Sequence, residues 1–287
     1  MTALPPGREL ATGTEKWIVD GLVLAMPGLR ARQLFTLRRD MLTQADYIIA
    51  GVDRDHDRVV SLLTSRWAEL PSGRPCLHIM IQFVGDAYRS GILFKESWAL
   101  HFRRLLAEGR PFPEVIALKT YNPVVHCAMS AFSGHPDITM YPDLAGKDTG
   151  RAELAAEVAG ALAPGARFDA DHGVVPGLGR PRDLYRERPL SRLAAANQYF
   201  AQHTRPGDRV LCLLDVPTRA GAHAILTALG VPLPLPCRTE APRTAMCRSG
   251  LPGPASFWEL DPSAILRPPE PTTTRQHVRR VSPRLSP

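Results

Sequence analysis

The sequence predicts an α/β fold, and the order of its periodic segments carries that prediction. Two apolar runs rich in β-branched residues, Tyr47 to Val52 and Val59 to Trp67, are joined by a polar connection of hairpin length. A third strand follows over residues 76–84, and a long helix is expected over residues 91–108. Because the hairpin, the strand and the helix follow one another without a long linker, we expect them to share one core.

One face of the predicted strand over residues 76–84 is more polar than the other. Its apolar and polar positions alternate, with Pro75 before it and Gly85 after it as boundaries. Because side chains on alternate residues point the same way, this pattern predicts that His78 and Gln82 share a face. A histidine there could take a proton from an attacking amine or hydroxyl, because its ordinary pKa of about 6.5 is near working pH. The alternative is a histidine that is hydrogen-bonded within the sheet.

The turn between this strand and the long helix is a candidate anion site. The helix starts at Gly91, its apolar residues recur at three- and four-residue spacing, and Gly109 and Pro111 end it. Unpaired N–H groups and the positive end of the helix dipole meet at such a start, and Arg89 adds a full charge. A pyrophosphate would fit there. The alternative is an ordinary strand-to-helix connection.

Further elements flank this unit on both sides. An amphipathic helix is predicted over residues 29–41, a strand over residues 114–120 and a short helix over residues 123–132. The full order is therefore helix, hairpin, strand, helix, strand, helix.

That order, together with YRSGILFKESW at residues 88–98 and ALKTYNPVVHCAMSAF at residues 117–132, resembles the GCN5-related N-acetyltransferase (GNAT) family. The resemblance covers residues 15–145, about half of the chain. It implies a mixed, mostly antiparallel central sheet flanked by helices, in which strands 4 and 5 splay apart. It also implies that an acyl-CoA such as acetyl-CoA lies in that wedge as co-substrate, with no metal required.

The resemblance assigns residues to the cofactor site at the end of strand 4, on the turn, and after strand 5. These residues are Phe83, Val84, Tyr88, Arg89, Ser90, Gly91, Ile92 and Asn122. Two positions depart from the family pattern. Tyr88 stands where the family has Gln or Arg, and Leu93 stands where it has a small residue.

The catalytic positions match the family pattern less well than the cofactor positions do. Six residues after Asn122 the family has a tyrosine that protonates the departing thiolate, but here Ala128 stands there. His126 and Cys127 are therefore candidate catalytic residues beside His78 and Gln82, and Ser130, Tyr121 and Tyr141 are further possible proton donors. The alternative for Cys127 is a small buried apolar residue.

Four segments are expected. Residues 1–14 form an N-terminal extension, and 15–145 form the acyl-CoA-binding core. Residues 146–235 are an insertion followed by a strand near Val210 to Leu214 and helices that complete the sheet. Residues 236–287 are a tail rich in Pro and Arg, expected to be largely disordered because they can bury little apolar surface.

Composition narrows the function classes. The chain has 287 residues, 44% of them hydrophobic, with neither an 18-residue apolar run nor an export signal, so we expect a cytoplasmic protein without a membrane partner. Its five cysteines have no metal-binding spacing, so no structural zinc is expected. The net charge of +7 is dispersed and no nucleic-acid motif accompanies it, so a nucleic-acid partner is not expected.

Three functions fit the sequence. The first is an acyltransferase that passes an acyl group from acyl-CoA, or from the thioester of an acyl carrier protein, to an amine or hydroxyl of a small-molecule acceptor. The second is a decarboxylase or acyl-loading protein that acts on the same thioester. The third is a binding module that has lost catalysis, which Leu93 and Ala128 would both explain.

Overall fold

The structure is a computed structural model that describes residues 1–89, 92–144 and 150–232. Its centre is an eight-stranded sheet in the order β1-β2-β3-β4-β5-β8-β6, with β7 also paired to β8. The strands are β1 (Thr2–Leu4), β2 (Tyr47–Asp53), β3 (Arg58–Glu69), β4 (Pro75–Val84), β5 (Val115–Thr120), β6 (Thr139–Tyr141), β7 (Val174–Val175) and β8 (Arg209–Asp215).

Helices cover both faces of this sheet. They are α1 (Thr12–Ala25), α2 (Ala31–Leu37), α3 (Asp40–Thr43), α4 (Leu93–Ala107), α5 (Pro123–Ser130), α6 (Ala152–Leu162), α7 (Ala194–His203) and α8 (Arg219–Leu229). Short 3-10 turns lie at Gly7–Glu9 and Asp86–Tyr88.

Every neighbouring pair of strands runs antiparallel except β4 and β5, which run parallel. The parallel pair follows from the long helix α4 that connects the two strands, since a parallel connection needs a crossover. The predicted fold class, a mixed and mostly antiparallel sheet flanked by helices with strands 4 and 5 splayed, is confirmed. The expected strand near Val210 lies beside β5 as β8.

Two large apolar clusters hold the helices on the sheet. On one face, Trp98 and Phe102 of α4 pack with α8 and with Leu77 and Ile79 of β4. On the other face, α1 and α2 pack on β2 and β3, with Ile18 completely buried among them. A third cluster joins α6 to β5 and β8. Burial of this kind stabilises the fold by about 25 cal/mol per Å² of apolar surface.

The first helices differ from the sequence prediction. The helix expected over residues 29–41 is divided into α2 and α3, because Arg38 leaves helical geometry with φ −135° and its guanidinium bonds the carboxylate of Asp40. Helix α1 was not predicted, since Gly13 and Gly21 weaken its helix propensity. Gly21 lets α1 approach the sheet, because a Cβ there would lie 2.6 Å from the backbone nitrogen of Val59.

The N-terminal residues belong to the sheet. Within residues 1–14, expected as an extension, β1 pairs with β2 at the edge of the sheet. The tail over residues 236–287 lies outside the described residues.

Candidate functional site

Strands β4 and β5 separate partway along their length. They pair from Cys76 with Val115 to Ile79 with Leu118, and β4 then continues to Val84 without a partner on that side. The β5-facing backbone groups of Met80–Val84 are therefore not used in the sheet. We call this gap the β4/β5 opening.

A β-bulge at Met80 changes which side chains face each way. Thr64 of β3 pairs with Ile81 and Ser65 pairs with Ile79, so Met80 is an extra residue. His78 consequently faces Arg38, Arg66 and Lys119, whereas Gln82 faces Trp98 of α4. The prediction that His78 and Gln82 share a face is wrong, because the bulge inverts the alternation between them.

Two cavities meet at the β4/β5 opening. The larger, of about 90 Å³, lies toward α2 and β8; we call it the basic cavity. The smaller, of about 60 Å³, lies toward α4 and α5; we call it the helix-start cavity. Four residues line both cavities and so mark their junction: Gln82, Phe83, Val125 and Tyr185.

Gln82 presents an unused hydrogen-bond donor at this junction. The indole Nε1 of Trp98 donates to its Oε1 at 2.8 Å. Because an indole N–H can only donate, this bond fixes the orientation of the amide. The Nε2 group is buried and has no partner among the described residues. A buried N–H without an acceptor is unfavourable, so a ligand oxygen at this point would stabilise it.

Tyr185 reaches the junction from the segment after β7. Its backbone forms a bridge with Leu29, and the amides of Arg30 and Arg186 bond the carbonyls of Leu184 and Gly28. These bonds attach the segment to the start of α2. The half-buried phenol of Tyr185 consequently lies at the meeting point of the two cavities.

Asn122 lies beside Tyr185 at the start of α5. Its Oδ1 accepts a hydrogen bond from the Val124 amide at 2.9 Å and caps that helix, and its side-chain amide interacts with the Tyr185 phenol. Burial raises the pKa of Tyr185 above its ordinary value, and the interaction with the Asn122 side chain partly offsets that rise. The phenol therefore keeps its proton at neutral pH.

The residues predicted to bind the cofactor divide into three groups. Phe83, Val84, Arg89 and Asn122 line the helix-start cavity. Arg89 pairs with Asp86 at 2.6 Å. Tyr88 and Ile92 do not line it: the Tyr88 hydroxyl donates to Asp53, and Ile92 is 68% exposed just before α4. Ser90 and Gly91 lie outside the described residues.

His126 and Cys127 face away from the opening. Neither lines either cavity, although Ala128, Val124 and Val125 of the same helix do. The Nε2 of His126 lies 3.0 Å from the Pro142 carbonyl, and its ring contacts Phe200 of α7. Burial raises the pKa of the Cys127 thiol. The geometry gives these two residues a packing role between α5 and α7.

His78 lines the basic cavity and is 5% exposed. Burial lowers its pKa well below the ordinary value, and the positive charges of Lys119, Arg66 and Arg38 lower it further. Its Nδ1 has no partner among the described residues. His78 is therefore neutral at pH 7 and is a weak base.

Lys119 lines the same cavity from β5. Burial lowers the pKa of its amine to about 7, and the Nζ donates to the carbonyl of Leu162 at 2.9 Å. A substantial fraction of this amine is therefore unprotonated at neutral pH, where it can accept a proton. The sequence carried a signal for it, since a lysine inside the apolar run VIALKT is unusual for a buried strand.

Tyr185 and Arg209 were also missed from the sequence. Tyr185 belongs to a segment with little regular structure, so no periodicity marks it. Arg209 begins β8, where an arginine ordinarily points to solvent. Only the folded chain brings these residues to strand β4.

The described residues contain neither a candidate metal site nor a candidate membrane span. No group of three His, Cys, Asp or Glu residues there is arranged to hold a metal ion. In the same residues, no helix combines the length and apolar character needed to cross a bilayer.

Comparisons with known proteins show a likeness to solved structures. No protein-family model matches the chain, and no curated protein matches it. Among solved structures, it is similar to a crystal structure of an aminoglycoside 6'-N-acetyltransferase complexed with coenzyme A. The two chains share 14% identity with a TM-score of 0.34, and the alignment covers 74% of this chain and 96% of that one. The function proposed below therefore rests on the geometry of the β4/β5 opening.

Proposed function

We propose that this protein transfers an acyl group from an acyl-CoA to an amine or hydroxyl of a small acceptor. The observation that carries the proposal is the Nε2 donor of Gln82, which lies where the two cavities meet and has no partner among the described residues. A thioester carbonyl placed there would accept this hydrogen bond and those of free N–H groups on Met80–Val84. Such donors stabilise the negative charge that develops on the carbonyl oxygen during acyl transfer.

The helix-start cavity is proposed to hold the CoA arm. Its walls include the apolar residues Phe83, Val84 and Phe94, which suit the pantetheine chain. Arg89 lies at the end of the cavity from which α4 begins, and its charge favours the diphosphate. In this proposal the CoA site lies on one side of the junction and the acceptor site on the other.

Two side chains are proposed to move protons. The acceptor nitrogen or oxygen attacks the thioester carbon and passes its proton to the neutral amine of Lys119, whose pKa of about 7 suits a base at neutral pH. The C–S bond then breaks, and the thiolate takes the proton of the Tyr185 phenol. His78, the base expected from the sequence, is less suited because burial lowers its pKa well below the ordinary value of a histidine.

A second candidate is a binding module without catalysis. The observation in its favour is Tyr185 itself, since the bridge from Leu29 holds its ring in the opening. In this alternative the ring excludes a thioester permanently. The two candidates differ in whether any CoA ligand binds.

Thermal unfolding with coenzyme A, acetyl-CoA and malonyl-CoA separates these candidates. A ligand that binds only the folded chain stabilises it by about 2.7 kcal/mol at a concentration of 100 times its Kd. We expect a rise in Tm with coenzyme A and acetyl-CoA. No rise with any of the three would reject acyl transfer from CoA. Mass analysis after incubation with malonyl-CoA alone tests decarboxylation, because that reaction yields acetyl-CoA without an acceptor.

A further inference from the structure

We propose that the basic cavity binds an anionic group of the acceptor, so that the acceptor carries a carboxylate or a phosphate besides its amine or hydroxyl. That the bound molecule is an acyl acceptor rests on the proposed function. The evidence for an anion site in this cavity does not depend on CoA binding. It comes from the charges that line the cavity and from one arginine that is buried without a carboxylate partner among the described residues.

The charges lining the basic cavity have one sign. Its basic side chains are Arg38, Lys119, Arg180 and Arg209, and its described lining contains no aspartate or glutamate. Arg38 is neutralised by Asp40, which accepts from it at 2.8 and 2.9 Å. The other three have no carboxylate partner within the described residues. A cavity with this lining favours an anion and disfavours a polyamine.

Arg209 provides the strongest evidence. It is 7% exposed, and burial lowers the pKa of its guanidinium. Its Nη1 donates a hydrogen bond to the main-chain carbonyl of Asp208 at 2.8 Å. The carboxylate of Asp208 instead accepts from the amides of Gly177 and Arg205. A buried cation without a counter-ion is unfavourable, and a bound anion would offset that cost.

The surroundings of Arg209 fix its position. A Cβ on Gly179 would overlap the guanidinium, so the missing side chain of Gly179 makes room for it. The ring of Tyr121 lies on another side, with its centre 5.9 Å from the guanidinium carbon. Arg188 lies over the same ring at 4.0 Å and bonds Thr204 rather than a carboxylate. The guanidinium is therefore held in place before any ligand arrives.

The position of this anion site suits an acceptor in the β4/β5 opening. Arg209 and Lys119 line one cavity, which reaches Tyr185 and Gln82 at the junction. An anion on Arg209 and Arg180 would anchor one end of the acceptor, and its amine or hydroxyl would extend toward Lys119. A bidentate guanidinium suits both carboxylate and phosphate.

Inorganic phosphate is the first probe, and the readout is Tm at constant ionic strength with chloride as the reference salt. We expect phosphate to raise the Tm of the wild type and of Arg205→Gln, an exposed arginine that does not line the cavity. Arg209→Gln should lose that rise and bind phosphate about tenfold or more weakly. It should also be at least as stable as the wild type in chloride alone. An equal phosphate effect in Arg209→Gln and the wild type would overturn the proposal.

A second variant covers the case in which Arg209→Gln does not fold. Gly179→Ala keeps the charge but displaces the guanidinium, since the new methyl group needs its space. We expect it to weaken phosphate binding as well. Unchanged phosphate binding in Gly179→Ala, with Arg209→Gln unfolded, would also overturn the proposal.

Matched acceptors distinguish the two anions and separate this inference from the proposed function. With acetyl-CoA as donor, β-alanine is compared with β-alaninamide, and phosphoethanolamine with ethanolamine, by release of free thiol. We expect one anionic acceptor to exceed its neutral partner by about tenfold in kcat/KM in the wild type but not in Arg209→Gln. Preference for the neutral partners would overturn the inference. No transfer to any acceptor would reject acyl transfer, while the phosphate experiment would still decide the anion site.

Discussion

The basic cavity and the helix-start cavity share a wall but differ in chemistry. The basic cavity is lined by four basic side chains, three of them without a carboxylate partner in the described chain, and by His78. The helix-start cavity is mostly apolar, and Arg89, the one cation in its described lining, is paired with Asp86. This difference indicates two different ligands, a long apolar chain with a charged end on one side and a small anion on the other.

Both cavities depend on one irregularity in β4. Before Met80 the strand is paired on both sides, and after Met80 it is paired with β3 alone. The bulge at Met80 also turns His78 toward the basic cavity and Gln82 toward α4. The junction of the cavities is thus the place where the proposed chemistry can be tested by single substitutions.

Lys119→Met should have the largest effect. It removes the proposed base, so we expect kcat to fall by about 10³. In the wild type, activity should rise with pH through about 7 and then level off, because only the unprotonated amine of Lys119 accepts a proton. This rise should disappear in Lys119→Met and remain in His78→Asn. A rise lost in His78→Asn but kept in Lys119→Met would assign the base to His78.

Gln82→Leu should cause the second-largest loss of activity. It removes the donor proposed to bind the carbonyl oxygen, so kcat should fall by on the order of 10²–10³. The affinity for coenzyme A, measured by calorimetry, should change little because coenzyme A has no thioester carbonyl. Trp98→Phe is the matched variant, since it keeps the amide but releases its orientation, and a smaller loss is expected. Full activity in Gln82→Leu would exclude this role.

Tyr185→Phe should lower kcat by about 10² by removing the proposed acid. The ring and its packing remain, so Tm should be nearly unchanged. A thioester whose thiol has a low pKa should restore much of the rate, because its thiolate leaves without a proton. If the variant stays equally slow with such a thioester, Tyr185 has a positioning role instead.

The sequence predicts the features that depend on neighbouring residues, but not those that depend on contacts between residues far apart in the chain. Residues 47–67 predict the β2–β3 hairpin, and residues 76–84 predict β4, because their period-two patterns are local. The bulge at Met80 depends on pairing with β3, so the alternation within β4 could not reveal it. Tyr185 and Arg209 reach the cavity through contacts with residues far along the chain, which leave no periodic signal.

Arg89→Glu should have the smallest effect of the series and should act on one cavity alone. We expect the affinity for acetyl-CoA to fall by about tenfold, since the proposed diphosphate contact is replaced by repulsion. Binding of acetyl-pantetheine, which has no diphosphate, should be unchanged. Equal losses for both ligands would place the diphosphate elsewhere or indicate a general structural defect. The phosphate response of the basic cavity should remain as in the wild type.

The most direct test is a crystal structure of the protein with coenzyme A. The account predicts the pantetheine chain between β4 and β5, with its sulfur within hydrogen-bond reach of the Tyr185 hydroxyl and its diphosphate at the start of α4. Coenzyme A bound elsewhere, with the Tyr185 ring still between the two cavities, would contradict it.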